Sequence, residues 1–267
     1  MSTQFENAPI VELVAEVRWH TSGSQEITDA KLGSTFSIDS VNPSLENFLA
    51  RFSAGAAKAG YVLSERIVPI GVPTMPGQPI YRYRSPDIGG ILVQAGWGVA
   101  TINAVPPYKS WTDFSPRLKE VLEVLVAARE DDRSPFYAAS VRYINAFGAD
   151  YLEGTTASEF ARDVLGFGAS LPQAIDDERK REEAPQFSLQ VAFPTTSGLR
   201  ARMVVAEGIA RDEQALIFDI TLGTAEPVDA IVESTFTVLD NAHDVVHRMF
   251  EGLTSKVRPL MRPIGES

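Results

Sequence analysis

The residues best suited to chemistry are arginines that alternate with apolar or aromatic side chains in segments typical of β-strands. Because the side chains of a strand point alternately to its two faces, each of these arginines lies opposite the core-facing row of its strand. Guanidinium groups gathered on one sheet face could capture carboxylates or phosphates through paired hydrogen bonds. The candidate face comprises Arg18, Arg82, Arg84, Arg142, Arg200 and Arg202, with Glu12 and Glu16 on the same parity.

Carboxylates of the same parity offer these arginines internal partners. Glu12 and Glu16 alternate with the apolar residues of the first strand, and Asp219 does so in a later strand. A cross-strand ion pair contributes only about 0.2–1 kcal/mol, so pairing would neutralise the face without adding much stability. We favour internal pairing as the explanation of this face, and a binding surface is the alternative.

Two histidines, His243 and His247, are spaced so that both imidazoles project from one face of a predicted helix. Zinc proteases use this spacing, but they place Glu directly after the first histidine and take a third ligand from elsewhere. Here Asp244 follows the first histidine, and the remaining histidine, His20, follows the first strand. We therefore expect the two histidines to form a pair on the helix surface, and we expect no cofactor. For a metal site, which is the alternative, His243 and His247 are the candidate ligands.

Composition excludes several classes of function. The chain has 267 residues, no cysteine and a formal net charge of -11 at pH 7. Without cysteine there is no disulfide, no thiolate nucleophile and no cysteine-ligated metal. The negative charge disfavours nucleic acid, whose nonspecific affinity rests on Lys and Arg, but a local basic face would keep that partner open. No apolar run could cross a membrane and no signal peptide is present, so we predict a cytoplasmic protein without membrane contact.

A sheet must position the arginines, and the segment Ala8 to Trp19 is the strand from which it starts. Its apolar residues recur at every second position from Val11, which is the period of a strand with one buried face. Pro135 to Asn145 shows a similar pattern, and Val17-Arg18-Trp19 in the first segment matches Val141-Arg142-Tyr143 in the second. We expect these two strands to lie at the centre of the sheet.

The predicted elements run strand, helix, strands, helix, and the second half of the chain repeats that order. An internal duplication explains the repeat. The predicted fold is α+β: one module over 1–267, whose halves 1–133 and 134–267 form one largely antiparallel sheet with helices packed on one face. We predict helices over 43–59, 115–130, 156–165 and 227–255, a strand within 61–70, a surface loop over 21–42 and a solvated charged segment over 176–183.

Short motifs lie in series along nearly the whole chain. They are Ala8-Pro9-Ile10-Val11-Glu12, Val17-Arg18-Trp19, Tyr108 to Phe114, Arg142-Tyr143-Ile144-Asn145, and Asp240 to His243 with Phe250-Glu251. On these motifs the sequence resembles a sporadically distributed family of uncharacterised prokaryotic proteins. The resemblance implies a prokaryotic source and a full-length single module, and it carries no assigned activity. Its patchy distribution is typical of genes that travel horizontally, such as defence or toxin–antitoxin loci.

The order of elements also resembles the fold of the TATA-box-binding protein. In that fold two such repeats make one saddle-shaped sheet with helices on its convex side. The resemblance is one of architecture, because no paired Phe wedges can be placed on a concave face and the net charge has the wrong sign for wrapping a duplex.

These observations favour a non-enzymatic binding protein whose partner is another protein, acting in a prokaryotic defence or toxin–antitoxin context. The alternative is an enzyme acting on an anionic or phosphorylated small molecule, with the arginines as a clamp and Glu12 or Glu16 as the base. A second alternative is a nucleic-acid-binding saddle. Homo-oligomerisation stays open.

Overall fold

The computed structural model describes residues 5–21, 43–106, 108, 110–129, 132–168, 171–180, 186 and 188–264. The predicted surface loop over 21–42 therefore lies outside the described residues, apart from Thr21. Residues 181–183 of the predicted charged segment lie outside the described residues as well.

Nine strands and seven α-helices occur within these described ranges. The strands are β1 (Ile10–Trp19), β2 (Leu63–Arg66), β3 (Pro79–Arg84), β4 (Ile91–Gly96), β5 (Val99–Ala104), β6 (Phe136–Phe147), β7 (Ser188–Pro194), β8 (Leu199–Ala210) and β9 (Glu213–Thr224). The helices are α1 (Pro43–Lys58), α2 (Trp111–Ala128), α3 (Ala149–Leu152), α4 (Ala157–Asp163), α5 (Gln173–Asp176), α6 (Val232–Leu253) and α7 (Arg258–Met261). A 3-10 turn over Ser255–Val257 joins the last two helices.

The strands form an antiparallel sheet in the order β2-β3-β4-β5-β1-β6-β9-β8-β7. The predicted α+β class is therefore confirmed. Strand β1 is fifth and β6 is sixth of the nine strands in this order, so they lie at the centre and next to it, as their similar alternation led us to expect.

The chain forms two compact units. The first, called here the N-terminal unit, comprises Leu13–Val141 and Gly223–Ala242. The second, the C-terminal unit, comprises Met1–Glu12, Arg142–Leu222 and His243–Ser267. The unit boundaries fall inside β1, β6, β9 and α6 rather than in loops.

Helices α1 and α2 cover one face of the sheet in the N-terminal unit. Ile102, Val93 and Tyr83 form a buried cross-strand row over β5, β4 and β3. Phe52 of α1 packs on Tyr83 with ring centroids 5.5 Å apart, and the hydroxyl groups of Ser53 and Tyr83 lie 2.9 Å apart. The helices expected on the sheet are thus seen on one face of this unit.

Helix α2 begins at Trp111, four residues before the predicted start at Ser115-Pro116. The Ser110 hydroxyl accepts a hydrogen bond from the backbone N of Asp113 at 3.2 Å, which satisfies an end group that the helix leaves open. Pro116 is accommodated inside the first half of the helix. The cap therefore decides the helix start, and the proline does not.

The predicted strand within 61–70 is shorter than expected, because its first residues complete the end of α1. Gly60 has φ of 92°, a left-handed conformation, and Tyr61 donates its backbone N–H to Ala56 O at 2.9 Å. This pattern closes a helix C-terminus and buries Tyr61. The strand then covers Leu63–Arg66 alone.

Strand β6 changes face near its start, which the sequence pattern did not predict. Simple alternation predicts that Tyr137 shares the core-facing side with Ala139 and Val141. Instead Phe136 is the buried residue there, packed against Trp19, and Tyr137 is exposed and lies against the His20 ring at 4.5 Å.

Aromatic side chains build the core of the C-terminal unit. Phe147 at the end of β6 contacts Tyr151 of α3 and Phe160 of α4, with ring centroids 5.3 and 5.2 Å apart. Thr156 and Glu159 exchange side-chain and backbone hydrogen bonds in a capping box at the start of α4. The helix predicted from residue 156 is therefore confirmed.

Helix α6 begins at Val232, later than the predicted start at residue 227. Val228 and Phe136 exchange two backbone hydrogen bonds of 2.8 Å, so the chain after β9 stays extended before the helix begins.

In the described part of the chain, no helix is long and apolar enough to cross a membrane.

Candidate functional site

Arg18 on β1 is held by its own neighbourhood in the N-terminal unit. Its guanidinium makes two hydrogen bonds to the Glu16 carboxylate, of 2.6 and 2.9 Å, and a third to the Gly77 carbonyl at 3.3 Å. Hydrogen bonding to Glu16 raises the pKa of Arg18, against the lowering effect of partial burial. The hydrogen bond to Gly77 holds the loop between β2 and β3 in place. The approach is close, because a Cβ at residue 77 would lie 2.5 Å from Arg18 Nη1.

Arg82 belongs to a polar cross-strand row on the sheet face away from α1 and α2. The register places Glu65, Arg82, Gln94, Thr101 and Glu16 side by side on β2, β3, β4, β5 and β1. Arg82 Nη1 lies 3.7 Å from the Glu65 carboxylate, and its Nε is buried without a hydrogen-bond partner. Arg84, two residues on, is exposed.

The remaining candidate arginines lie in the C-terminal unit. Arg142 pairs with Asp219 of β9 through hydrogen bonds of 2.9 Å from Nε and 2.5 Å from Nη2. Arg202 donates to the side-chain oxygen of Gln190 at 3.3 Å, and Arg200 is exposed. Glu12, in the same unit, is half-buried on β1.

Internal pairing thus accounts for three of the six arginines, namely Arg18, Arg82 and Arg142. One detail of the expectation is wrong, because Arg18 and Glu16 pair along one strand and not across two strands. Each unit contains part of the predicted face. In the N-terminal unit Glu16 lies beside Arg18, whereas Arg82 lies in the same row as Glu16 but is separated from it by β5 and β4.

The expected helix-surface pair of histidines is wrong for His243, which is 6% exposed. The Tyr143 hydroxyl lies 2.5 Å from its Nδ1. His247 stacks on it at 5.8 Å and approaches the Glu251 carboxylate at 3.5 Å. Among the described residues no group of three or more histidine, aspartate or glutamate side chains could hold a metal ion.

The motif residues meet in pairs inside the two units. In the N-terminal unit Trp111 Nε1 donates to the Asp240 carboxylate at 2.7 Å. In the C-terminal unit Tyr143 contacts His243, and Asn145 donates to the Phe218 carbonyl at 3.4 Å. These side chains fix helices and strands to one another, which is a structural role.

Arg129, directly after α2, is the residue that sequence reasoning missed. It is 4% exposed, and its guanidinium carbon lies 4.8 Å from the Trp19 ring centre and 4.7 Å from that of Phe136. Its Nη2 donates to the Asp132 carboxylate at 3.1 Å and to both oxygens of Ser134 at 3.0 Å. Its Nε and Nη1 are buried without a hydrogen-bond partner.

Burial lowers the pKa of Arg129, while the hydrogen bond and charge of Asp132 oppose that effect. A cation held between two aromatic rings is attracted by their π-systems, which offsets part of the cost of its burial. The unpartnered N–H groups are the remaining cost, and a buried polar group of this kind calls for an explanation.

Arg129 is among the residues that line a pocket of about 180 Å³ in the N-terminal unit. The described lining includes aromatic residues, Trp19, Phe48 and Trp97, and ionisable residues, Arg51, Arg129 and Asp132. The unpartnered Nε and Nη1 of Arg129 are fully buried, so they do not face the space of this pocket.

One sequence signal could have found Arg129. Leu118, Leu122 and Leu125 are buried on α2 at spacings of four and three residues, and Arg129 follows at the next position of the same stripe. An arginine on the apolar stripe must either extend to solvent or be buried with partners. Charged residues follow Arg129 in the sequence, and for this reason the pattern there indicates a charged surface segment and not a continuation of the apolar stripe.

An exposed apolar segment lies along the β2 edge of the sheet, and residues 62–75 are called here the β2 edge segment. Exposed fractions are 55% for Leu63, 90% for Ile70 and 66% for Met75. Among the described strands β2 has β3 as its sole neighbour, so its other side carries no strand.

Hydrogen bonds hold the loop that follows β2. Val72 N donates to Pro69 O at 3.2 Å, and Gln78 N donates to Met75 O at 3.1 Å, which closes two turns. Gly77 N donates to the Trp97 carbonyl at 2.6 Å, beside the contact with Arg18. The exposed apolar side chains are therefore presented on an anchored loop.

No protein-family model matches the chain, and no curated protein matches it. The family resemblance drawn from the short motifs therefore stays a prediction.

Proposed function

We propose that the protein is a non-enzymatic binding protein whose partner is another protein, bound through the β2 edge segment. The observation that carries the proposal is the exposure of Leu63, Ile70 and Met75 beside an edge strand. Exposed apolar clusters mark protein contacts, and an edge strand offers unpaired backbone groups to an extended segment of a partner. The expected prokaryotic defence or toxin–antitoxin setting belongs to this proposal and rests on the motif resemblance alone.

The anchoring of the loop supports the proposal, because a preformed surface loses less conformational entropy on binding. Prolines at 69, 73 and 76 restrict the backbone, and the hydrogen bonds to Trp97 and Arg18 tie the loop to the sheet. The partner segment that fits is extended and apolar.

The two alternatives have less support. For an enzyme with an arginine clamp, Glu12 or Glu16 would serve as base, and of these two Glu16 is held by Arg18 through two hydrogen bonds. For a nucleic-acid saddle the arginines should be available to phosphates, whereas Arg18 and Arg142 already contact carboxylates.

We also propose that the halves 1–133 and 134–267 arose by duplication. The strand order supports this, because it runs outward from the centre as β1, β5, β4, β3 on one side and as β6, β9, β8, β7 on the other. In each half, the strands that follow the central strand outward are therefore arranged in the reverse of their order along the chain. Strand β2 is the addition at one edge.

A capture experiment in host cells tests the binding surface. The bait is the full chain, compared with the double variant Leu63→Lys/Met75→Lys and with the matched control Ile209→Lys, which adds a charge at an exposed apolar residue of β8. We expect a protein that is enriched by wild type and by the control and is lost with the double variant.

Mass spectrometry quantifies the captured proteins, and light scattering after size exclusion gives the oligomeric state of each bait. A captured set that is unchanged by the double variant contradicts the proposal. Self-association that depends on Leu63 and Met75 contradicts it as well, since the segment would then bind a second copy and not a different protein.

A further inference from the structure

We propose that a second copy of this chain pairs with the open edge of β7, so that the two sheets join across a two-fold axis. The inference is independent of partner binding through the β2 edge segment, because β2 and β7 stand at opposite ends of the strand order. It rests on the length, the charge and the backbone hydrogen bonds of β7 in the C-terminal unit.

Strand β7 is an edge strand without the features that block edge pairing. It has 7 residues, and among the described strands β8 is its sole neighbour. Its sequence, Ser-Leu-Gln-Val-Ala-Phe-Pro, carries no charge, and its register with β8 runs without a shift. Natural proteins protect exposed edges with charges, bulges or proline, and here a proline stands only at the last position.

The pairing with β8 determines which backbone groups of β7 face the open side. Thr195 N donates to Leu199 O at 2.7 Å, one position beyond the end of β7. Because backbone groups alternate between the two sides of an antiparallel strand, every second residue before Thr195 bonds to β8 and the residues between them face the open side. The residues that face the open side are Ser188, Gln190, Ala192 and Pro194. Pro194 has no N–H, so this side of an edge strand is where it is tolerated.

A two-fold axis through Gln190 pairs these groups on both copies. Ser188 then lies opposite Ala192 of the second copy, and Gln190 lies opposite its own equivalent. Each such pair exchanges two hydrogen bonds, and a contact of this symmetry closes as a dimer. Centring the pairing on Ala192 would instead place Gln190 opposite Pro194, which has no N–H to donate.

The side chains of β7 suit a copy of themselves on both faces of the sheet. In this register Leu189 lies opposite Val191 of the second copy, and each is half-buried in the single chain. Pairing therefore removes more of their apolar surface from water. On the other face the Gln190 side-chain oxygen accepts from Arg202 at 3.3 Å, and its amide nitrogen keeps donors for the second copy.

The β2 edge lacks this self-complementarity. Ile67 N donates to Ile80 O at 2.8 Å, so the same alternation directs the backbone groups of Ser64 and Arg66 to the open side. The self-pairing that uses both of them would set Glu65 against Glu65 of the second copy, and like charges directly opposite destabilise a sheet. The charge pattern therefore favours β7 for the second copy and leaves β2 to a different protein.

Disulfide trapping in the full-length protein tests the register, because the chain has no cysteine of its own. Gln190→Cys places a thiol beside its equivalent at the two-fold axis, where Cα atoms about 5.5 Å apart allow a disulfide. Gln214→Cys is the matched control, since Gln214 is an exposed glutamine of β9, which β8 separates from the open edge. Under mild oxidation we expect the first variant to form a linked dimer on non-reducing gels and the second to stay monomeric.

Sedimentation velocity measures the same association without oxidation. We expect wild type to show a monomer–dimer equilibrium with a Kd of about 10 µM. Gln190→Lys sets two like charges opposite each other and should weaken the dimer at least about tenfold, whereas Gln214→Lys should associate as wild type does. Circular dichroism confirms that each variant is folded, and the wild-type measurement depends on no variant.

Three results overturn the inference. The first is a wild-type protein that stays monomeric at about ten times the expected Kd. The second is an equal disulfide yield for Gln190→Cys and Gln214→Cys, which would indicate chance collisions. The third is a dimer that Gln190→Lys leaves intact. If Leu63→Lys/Met75→Lys abolishes that dimer, the second copy binds the β2 edge segment and the proposed function fails as well.

Discussion

Buried polar groups without partners occur at single residues of the N-terminal unit, and their surroundings give them different meanings. The Tyr61 hydroxyl is buried, unpartnered and placed where the end of α1 turns into β2. Arg129 is buried and unpartnered at Nε and Nη1, but its guanidinium lies beside the rings of Trp19 and Phe136. An unpartnered hydroxyl group costs stability alone, whereas the attraction of the two rings offsets part of the cost at the guanidinium.

The Tyr61 hydroxyl provides a prediction at this scale. Because an unsatisfied buried hydroxyl costs free energy, Tyr61→Phe should raise the free energy of unfolding by about 1 kcal/mol at pH 7. Tyr83→Phe is the matched control, since its hydroxyl bonds to Ser53 at 2.9 Å and its loss should destabilise the protein. Urea denaturation measures both, and a Tyr61→Phe variant less stable than wild type would contradict the account.

The same residue gives a pH dependence. Burial is the main cause that raises the pKa of Tyr61 to about 12, above the ordinary value of 10.0. The unfolded chain therefore loses this proton first as pH rises, so ionisation of Tyr61 leaves the free energy of unfolding unchanged below about pH 10 and lowers it towards pH 12. The stability difference in favour of Tyr61→Phe should grow between pH 9 and pH 11 in urea titrations, and a constant difference would contradict the assigned cause.

At the scale of elements, the hairpin of β4 and β5 supports both the β2 edge segment and the Arg129 pocket. Gly96 and Trp97 line the pocket, and the Trp97 carbonyl accepts the hydrogen bond that anchors Gly77. A Cβ at residue 96 would lie 2.0 Å from Gln78 O and 2.7 Å from Pro79 Cα, both backbone atoms that cannot move freely.

We therefore predict that Gly96→Ala lowers the free energy of unfolding by about 3 kcal/mol, as an overpacked site must shift its backbone. Gly89→Ala is the control, because no atom lies within 4 Å of a Cβ at that residue, and it should change stability by less than about 0.5 kcal/mol. Calorimetric Tm values compare the two variants. Equal Tm values for the two variants would contradict this prediction, because the backbone at Gln78 would then accommodate the added methyl group.

Elements with regular alternation could be predicted from the sequence, and their exceptions could not. The central positions of β1 and β6 followed from apolar residues at every second position, because that period requires one buried face. The change of face within β6 at Tyr137 could not be predicted, because it does not alter the amino-acid composition of the strand. Arg129 was missed because the rings beside its guanidinium belong to other elements, Trp19 on β1 and Phe136 at the start of β6.

For the whole molecule, the charge of -11 is compatible with a set of arginines that serve mainly the protein itself. Arg18 braces a loop, Arg142 joins two strands of the C-terminal unit, and Arg129 is buried between rings. Sequence parity placed the first two on one sheet face, with internal pairing favoured and binding as the alternative, but it could not assign a partner to each arginine, because parity gives the side of a strand and not the partner on it. The exposed loop after β2 had no sequence signal beyond its prolines.

The central claim is that a protein partner binds the β2 edge segment and not the arginine face. Its most direct test measures the affinity of the captured partner for wild type, for Leu63→Lys/Met75→Lys, and for Arg200→Gln/Arg202→Gln, whose arginines are exposed on β8. Surface plasmon resonance should show at least about tenfold weaker binding for the first variant and unchanged binding for the second. Loss of binding with the arginine variant, together with full binding by the Leu63→Lys/Met75→Lys variant, would contradict the account.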